Sequence, residues 1–186
     1  MLEKTLVEHG SPTLARLKLG SLMNVFHKGS DALKEEVRRL NRMLAPKGLV
    51  LTVLRMDGRR ALLYLFRCAH LRQKLRCPLV QGFLREYGYE GFSVASALKT
   101  LRSRVELGGE FPHEIGVFLD YPLSDIQDFI RHGGRNCRMC GVWKVYSNEA
   151  DAARTFSRYK KCKDVYTRLY REGCPLAKLT VATGAA

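Results

Sequence analysis

The stretch His113-Glu-Ile-Gly-Val-Phe-Leu-Asp-Tyr-Pro-Leu-Ser-Asp-Ile-Gln-Asp-Phe-Ile130 determines the predicted fold of this chain. If residues 114–119 are extended, successive side chains point to opposite faces, and on both faces they are largely apolar or small. Such a pattern predicts a buried strand that helices cover on both sides. His113 and Glu114 would then project to opposite faces, which argues against an acid/base dyad formed by these two neighbours.

A helix and a second strand are predicted after this first strand. Pro122 suits the first position of a helix, and Gly133-Gly134 would end that helix near residue 132. A second block, Asn136-Cys-Arg-Met-Cys-Gly-Val-Trp-Lys-Val-Tyr146, ends in a strand-like run over residues 142–146. The order strand, helix, strand predicts a parallel pair joined by a right-handed crossover.

A hairpin is predicted upstream of this unit. Residues 49–55 and 60–66 are apolar and β-rich, and the Asp57-Gly58 pair between them is a hairpin signal. The whole pattern predicts an α/β fold, a single-domain three-layer sandwich with a mixed, partly parallel sheet flanked by helices. We place this domain at residues 1–179 and expect residues 180–186 to form a loose C-terminal tail. Further helices are predicted over residues 2–9, 12–18, 30–44, 68–75, 79–87, 93–105 and from about 148 to 171.

The chain has 186 residues and a formal net charge of +14, which is unevenly distributed. Residues 1–104 carry 20 Lys and Arg against 8 Asp and Glu, whereas residues 105–186 carry 12 against 10. The densest basic segment is a candidate surface for anions such as nucleic acid or an acidic protein, the alternative being solvated helix faces. Its basic residues are Arg55, Arg59, Arg60, Arg67, Arg72, Lys74 and Arg76.

The cellular compartment in which the protein is expected decides whether its cysteines are thiols or disulfides. The N-terminal nine residues contain acidic side chains where a signal peptide would be basic, and no apolar run is long enough to span a bilayer. We therefore expect a cytoplasmic protein that does not contact the membrane. In the cytoplasm the six cysteines are expected to be thiols or metal ligands rather than structural disulfides.

One edge of the predicted sheet is a candidate metal or redox site. If the two strands are parallel, His113, His132, Cys137 and Cys140 converge at the same edge. Nitrogen and sulfur ligands in a tetrahedral array suit zinc or iron. A redox role for the Cys-x-x-Cys pair is the alternative, and Arg135 with Arg138 would lower the thiol pKa. Thioredoxin-type pairs, however, open a helix after a strand, whereas this pair precedes a strand.

The opposite edge of the predicted sheet is a candidate ligand site. It presents Asp120, Tyr121 and Tyr146, and ligands of open α/β sheets favour the C-terminal ends of strands. Asp120 would repel an anion, so a cation, an amine or a hydroxyl group fits better. The alternative is a turn aspartate that bonds only to its own backbone.

Standard catalytic and nucleic-acid motifs are absent from the sequence. It contains no Walker loop, no Gly-x-Gly-x-x-Gly and no Gly-x-Ser-x-Gly, so nucleotide-dependent and hydrolase functions have no motif behind them. Nor is there a helix-turn-helix, zinc-finger or RNA-recognition signature. Nucleic-acid binding would therefore depend on the basic segment and on the basic side of residues 154–171.

Five segments of the chain carry a family resemblance. They are His9-Gly-Ser-Pro-Thr-Leu14, Leu62-Leu-Tyr-Leu-Phe-Arg67, Phe111-Pro-His-Glu-Ile-Gly-Val-Phe-Leu-Asp-Tyr-Pro-Leu-Ser-Asp125, Asn136-Cys-Arg-Met-Cys-Gly-Val-Trp-Lys-Val-Tyr146 and Tyr159-Lys-Lys-Cys-Lys-Asp-Val-Tyr166. Together they resemble a bacterial family of unknown function found mainly in anaerobic Firmicutes, Domain of Unknown Function 3793. The chain departs from the family pattern at Gly10, where the resemblance implies Cys, and at Asp120, where it implies Gly.

The resemblance supplies a setting rather than an activity. The family resemblance implies a setting in anaerobes that are rich in iron and flavodoxin chemistry. This setting implies a metal- or redox-linked role, with an acidic partner such as a flavodoxin-like protein. We therefore expect an accessory or binding protein with its site near His113, Cys137 and Cys140. An anion- or nucleic-acid-binding module that uses the basic N-terminal half is the first alternative, and a small enzyme of unknown reaction is the second.

Overall fold

The computed structural model describes residues 2–106 and 111–184, and in them helices outnumber strands. None of the described helices has the length and apolar composition needed to cross a bilayer. Two 3-10 segments, Ala45–Lys47 and His113–Val117, separate the regular elements. The helices are α1 Leu2–Leu14, α2 Ser30–Leu44, α3 Cys68–Leu75, α4 Pro78–Arg85, α5 Val94–Glu106, α6 Leu123–Arg131, α7 Glu149–Arg171 and α8 Leu176–Leu179. The strands are β1 Gly20–Phe26, β2 Leu49–Asp57, β3 Arg60–Arg67, β4 Met139–Cys140 and β5 Lys144–Val145.

β3 is the central strand of a three-stranded antiparallel sheet with the order β1-β3-β2. β2 and β3 form the predicted hairpin, in which Asp57 pairs with Arg60 across the turn. Gly58 has a φ of 50° in this turn, a left-handed conformation that glycine adopts without steric cost. The register of β2 shifts between Val53 and Arg55, as at a β-bulge.

Side chains alternate along β3, so the strand contributes to one hydrophobic cluster on each face of the sheet. Leu63 and Leu65 belong to the first cluster, which α1, α2 and α8 cover. Tyr64 and Phe66 belong to the second, which α3, α4, α5 and the segment His113–Val117 cover. The predicted α/β class, with helices packed on a sheet, is therefore confirmed, whereas the finer description as three regular layers stays a prediction.

The predicted parallel strand pair is wrong. His113–Val117 is a 3-10 segment, and the Phe118 amide donates to the Ile115 carbonyl at 2.9 Å. No strand pairs with this apolar run in the described residues, so its backbone groups are satisfied locally instead. Every strand pair that the structure describes is antiparallel, including β4 with β5, which are two residues long each. The right-handed crossover therefore does not exist.

Arg67, at the end of β3, is a fully buried cation. Its guanidinium donates to the carbonyls of Thr13, Leu14 and Val181, each at 2.8 Å, and to the Thr183 hydroxyl at 3.1 Å. Thr13 and Leu14 lie at the C-terminal end of α1, where carbonyls lack helical partners and the helix dipole favours a positive charge. Burial lowers the pKa of the guanidinium to about 10. Arg67 is therefore a structural residue that joins three parts of the chain.

The C-terminal segment packs against the N-terminal half. This differs from the prediction, in which a loose tail begins at residue 180. Thr180 is buried, and the Val181 amide donates to the Leu14 carbonyl at 3.0 Å. The Thr183 amide donates to the Lys47 carbonyl, also at 3.0 Å. Packed structure thus continues to Thr183, and residues 185–186 of the predicted tail lie outside the described residues.

The N-terminal helix also differs from the prediction, which has two helical pieces broken at residues 10–12. α1 is continuous and includes Pro12 in its last turn. Proline has no amide hydrogen, so Pro12 removes one hydrogen bond from this last turn, and the Thr13 and Leu14 carbonyls that follow it accept hydrogen bonds from Arg67. The site described next lies at the other end of the chain, between α6, the segment His113–Val117 and the β4–β5 hairpin.

Candidate functional site

Cys137 and Cys140 form a dithiol whose sulfur atoms are 3.2 Å apart. The pair lies in a tight loop that begins at Asn136, which has a φ of 60°. Cys140 belongs to β4, and the Arg138 amide donates to the Val145 carbonyl at 2.9 Å, which closes the loop against β5. Cys140 is exposed and Cys137 is half-buried, so an approaching molecule reaches Cys140 first.

Asp125 on α6 holds the segment that follows the dithiol. Its carboxylate is 2% exposed and accepts hydrogen bonds from the Trp143 indole nitrogen at 2.8 Å and from the amides of Tyr146 and Ser147, both at 3.0 Å. The Ser147 hydroxyl donates to the same carboxylate at 3.1 Å. A buried carboxylate requires such donors, because an unpaired buried charge is strongly unfavourable. Asp125 therefore fixes β5 and its flanking residues against α6.

An apolar cleft of about 420 Å³ lies beside the dithiol, and Cys140 forms part of its wall. One side is the contact between the segment His113–Val117 and α6, which requires glycine at 116, since a Cβ there would lie 2.8 Å from Ile126. Phe111 and Val142 line the cleft and remain 43% and 39% exposed. An apolar cleft of this size with few polar groups is typical of a binding site. Its other apolar lining side chains include Ile115, Leu119, Phe129 and Trp143.

Trp143 forms a rigid wall of this cleft. Its indole packs against the rings of Tyr121 and Phe156, with centroid distances of 5.2 Å and 4.5 Å. Gly141 allows this packing, because a Cβ at that position would lie 2.2 Å from the Phe156 ring. The Tyr121 hydroxyl donates to the Val142 carbonyl at 3.0 Å and closes the arrangement. The wall is thus held in place by contacts within the protein itself.

The Cys137 thiol is affected by its partner Cys140 and by nearby charge. The hydrogen bond with Cys140 raises the pKa of Cys137, with a further contribution from desolvation. Lys144, which faces Cys140 across the hairpin, opposes this increase. The prediction that Arg135 and Arg138 lower the thiol pKa is therefore wrong for Cys137. These two arginines and Lys144 are exposed and give the surroundings of the dithiol a positive charge.

The four predicted metal ligands do not come together in one site. His113 and Cys140 line the same cleft, and Cys137 contacts Cys140, but His132 is exposed and stacks on Tyr146 with a ring distance of 5.7 Å. Over residues 2–106 and 111–184, no three His, Cys, Asp or Glu side chains form a group that could hold a metal ion. The predicted convergence depended on the parallel strand pair, which the fold lacks.

The three residues of the predicted ligand edge are also divided. Asp120 has a φ of 64° and forms an ion pair with Lys74 at 3.1 Å beside a separate pocket. Tyr121 belongs to the apolar cleft. Tyr146 is buried, and among the described residues its hydroxyl has no hydrogen-bond partner. The left-handed backbone of Asp120 is a conformation that glycine adopts without steric cost.

The predicted anion-binding surface is split between the two ends of β3. Arg60 and Arg67 mark these ends, which are roughly 23 Å apart at the usual rise of a strand. Arg67 is buried and has no contact with solvent, so it cannot hold a solvent-borne anion. Near the hairpin turn lie Arg55, Arg59 and Arg60, and near α3 lie Arg72, Lys74 and Arg76.

Sequence reasoning missed the cleft and the role of Asp125. Trp143 is the only tryptophan of the chain and follows the Cys-x-x-Cys motif by three residues, a signal that could have identified the wall. Asp125 gave no such signal, because an aspartate in the first turn of a helix is ordinarily exposed. Its burial depends on contacts with residues about twenty positions later in the chain.

Comparison with known proteins identifies the family and nothing more specific. No curated protein matches the chain, and no solved structure matches it. A family model described as a protein of unknown function (DUF3793) matches residues 6–180, which include the sheet, the dithiol and the apolar cleft. The chain therefore belongs to the DUF3793 family of proteins of unknown function.

Proposed function

We propose that this chain is an accessory redox protein whose Cys137–Cys140 dithiol exchanges with a disulfide of another molecule. The observation that carries the proposal is the distance of 3.2 Å between the two sulfur atoms. A disulfide bond is about 2.05 Å long, so closure requires a movement of only about 1 Å. A disulfide that forms in a reducing compartment is usually transient and catalytic or redox-sensing rather than structural.

The exchange would proceed in two balanced steps. The Cys140 thiolate attacks one sulfur of the substrate disulfide and releases the other as a thiolate, which leaves a mixed disulfide. The Cys137 thiolate then attacks the Cys140 sulfur and releases the second substrate thiolate. In total the protein loses two protons and two electrons and gains one disulfide, while the substrate disulfide becomes two thiols. The exposure of Cys140 and the raised pKa of Cys137 favour this order.

Equilibration of the reduced chain with mixtures of reduced and oxidised dithiothreitol, followed by trapping and peptide mass spectrometry, tests the proposal. We expect a reversible Cys137–Cys140 disulfide whose population follows a single two-electron redox equilibrium. Cys140→Ser should abolish reaction with a model disulfide, whereas Cys137→Ser should stop at the mixed disulfide. Cys174→Ser, at a half-buried cysteine outside the site, is the matched control. Absence of a Cys137–Cys140 disulfide across the accessible range of potentials would contradict the proposal.

Zinc or iron binding by the same thiols is the metal-linked form of this function. Tetrahedral sites for these metals take four sulfur or nitrogen ligands, and the dithiol would supply two of them. The metal content of anaerobically purified protein tests this form. Stoichiometric metal that is lost in Cys137→Ser and Cys140→Ser supports it, and folded, metal-free protein contradicts it.

Anion or nucleic-acid binding is a second candidate, and a row of cations on α7 favours it. Arg154, Arg158 and Lys161 are exposed at helical spacing on this 23-residue helix and therefore share one face. Phosphate contacts release counterions, so binding should weaken steeply between about 50 mM and about 200 mM salt. Fluorescence anisotropy with labelled RNA and DNA measures this, and Arg158→Glu with Lys161→Glu should abolish it. Lys34→Glu on α2 is the control, and salt-insensitive or absent binding contradicts the candidate.

A further inference from the structure

The apolar cleft beside the dithiol indicates what the substrate carries. We propose that the substrate is a disulfide within an acidic polypeptide segment, with a large apolar side chain next to the cysteine that Cys140 attacks. The apolar side chain enters the cleft, and the acidic groups face the cations around the dithiol. This inference rests on the proposed redox function, because it assigns the cleft to the same exchange.

The exposed apolar surface of the cleft is the first argument. Five large hydrophobic side chains are exposed in the described residues, and two of them, Phe111 and Val142, line this cleft. Single exposed hydrophobic residues are ordinary, but two that border one apolar cavity mark an interaction site. A side chain bound there would remove Phe111 and Val142 from water together with its own surface.

The position of Cys140 is the second argument. Cys140 forms part of the cleft wall together with Val142 and Trp143. A side chain held in the cleft therefore lies next to the Cys140 thiol, which attacks the substrate disulfide. Trp143 is already fixed by Asp125 and Tyr121, so binding does not have to order this wall. A preformed wall lowers the entropic cost of holding the substrate disulfide near the thiol.

The charge around the dithiol is the third argument, and it selects an acidic partner. Arg135, Arg138 and Lys144 are exposed within a few residues of the two cysteines. Arg138 forms an ion pair with Glu149 at 3.8 Å, and Asp125, which also lines the cleft, is buried and accepts hydrogen bonds from Trp143, Tyr146 and Ser147, so three exposed cations face two carboxylates that already have partners. The local charge is therefore positive, and it would attract an acidic segment and disfavour a basic one.

Three matched peptide disulfides test the proposal with the intact, reduced chain. They are the symmetrical disulfides of Glu-Phe-Cys-Glu, Glu-Ser-Cys-Glu and Lys-Phe-Cys-Lys. Each rate is divided by the rate with dithiothreitol, which removes differences in intrinsic reactivity. We expect the acidic Phe peptide to react about tenfold faster than the acidic Ser peptide, because burial of the ring is favourable. It should also react about tenfold faster than the basic peptide at low salt, with this preference shrinking in high salt.

Variants of the exposed lining residues separate the inference from the proposed function. Phe111→Ser and Val142→Ser should each reduce the Phe-over-Ser preference, measured as the ratio of the two peptide rates, by about threefold. Phe26→Ser, at an exposed phenylalanine away from the cleft, is the control. Equal relative rates for all three peptides, or a preference that survives both lining variants, would overturn the inference while the dithiol still reacts. Failure of every peptide to produce the Cys137–Cys140 disulfide would overturn the redox function itself.

Discussion

β3 and the run 114–119 are similar in sequence but differ in structure. Both are apolar runs that are buried on every side. β3 lies between β1 and β2, which satisfy its backbone groups on both edges, whereas no strand within residues 2–106 and 111–184 pairs with the run 114–119, which forms 3-10 turns. The Phe118 carbonyl instead accepts a hydrogen bond from the Tyr64 hydroxyl of β3 at 2.6 Å. An apolar run therefore specifies burial, and the available hydrogen-bond partners specify whether it becomes a strand.

Truncation in β3 should have the largest effect. Leu63→Ala removes a fully buried side chain from the middle of the sheet and should lower the free energy of unfolding by about 2–5 kcal/mol. Trp143 fluorescence and far-UV circular dichroism during urea unfolding should shift together, because the sheet supports both regions. Leu79→Ala, at a side chain that is 75% exposed, is the control. A fluorescence transition that stays in place would show that the site folds independently of the sheet.

Loss of the buried Asp125 carboxylate should instead separate the unfolding of the site segment from the unfolding of the sheet. Asp125→Ala leaves the Trp143 indole and the amides of Tyr146 and Ser147 without an acceptor, which should cost the site segment about 2–3 kcal/mol. The sheet does not depend on these bonds. We therefore expect the Trp143 fluorescence transition to move to lower urea than the circular dichroism transition. Coincident transitions in this variant would contradict the distinction between the regions.

Lys18, just before β1, connects the regions and should give a smaller, pH-dependent effect. It is 8% exposed, its ammonium lies over the rings of Tyr121 and Tyr159, and burial lowers its pKa to about 8 although Asp120 opposes the shift. Near pH 7 Lys18 is protonated in both states, so the folded chain bears the whole cost of burying the charge. Lys18→Met should then stabilise the chain by about 1–3 kcal/mol.

The sign of the Lys18 effect sets its pH window. Between about pH 8 and the ordinary pKa of 10.5 the folded state loses this proton while the unfolded state keeps it. The parent chain therefore gains stability relative to Lys18→Met across this window, and the advantage of the variant shrinks. Urea unfolding of both chains near pH 7 and near pH 9.5 measures the difference. An advantage that is constant or grows with pH would contradict the buried charge as its cause.

Substitutions at Asp120, in the turn that ends the run 114–119, should have the smallest effect on stability. Asp120→Gly relieves the left-handed backbone but loses the partly exposed ion pair with Lys74, so its stability should change by less than about 1 kcal/mol. Asp120→Ala loses the same ion pair and keeps the strain. The alanine variant should therefore be less stable than the glycine variant by about 1 kcal/mol in thermal or urea unfolding. Equal stability of the two variants would contradict strain at this position.

Elements with local signals could be predicted from the sequence. α2 begins and ends where its apolar spacing and the following Gly48 place it, and the β2–β3 hairpin follows its Asp-Gly pair. No local signal indicates whether the run 114–119 pairs with another strand, because such pairing depends on strands that are distant in the sequence. Its flanking prolines, Pro112 and Pro122, limit extended pairing at both ends but do not distinguish a strand from a 3-10 segment.

The candidate site was predictable only in part. Cys-x-x-Cys spacing was enough to single out Cys137 and Cys140, and His113 does share a cleft with Cys140, although the predicted parallel strands that led to this proximity are absent. The cleft itself depends on Asp125 and Gly116, whose contacts reach across α6. No periodicity within one segment contains such information, so this part required the tertiary structure.

The buried guanidinium of Arg67 has a consequence for the order of folding. Its acceptor in Val181 is 114 residues further along the chain, and its acceptor in Thr183 is 116 residues further. During synthesis the ribosome completes β3 long before it makes these acceptors, so the emerging sheet must hold Arg67 with the α1 carbonyls alone. The last native hydrogen bonds of the N-terminal half can form only when residues 181–183 have left the exit tunnel, which makes completion of this half a late event in folding.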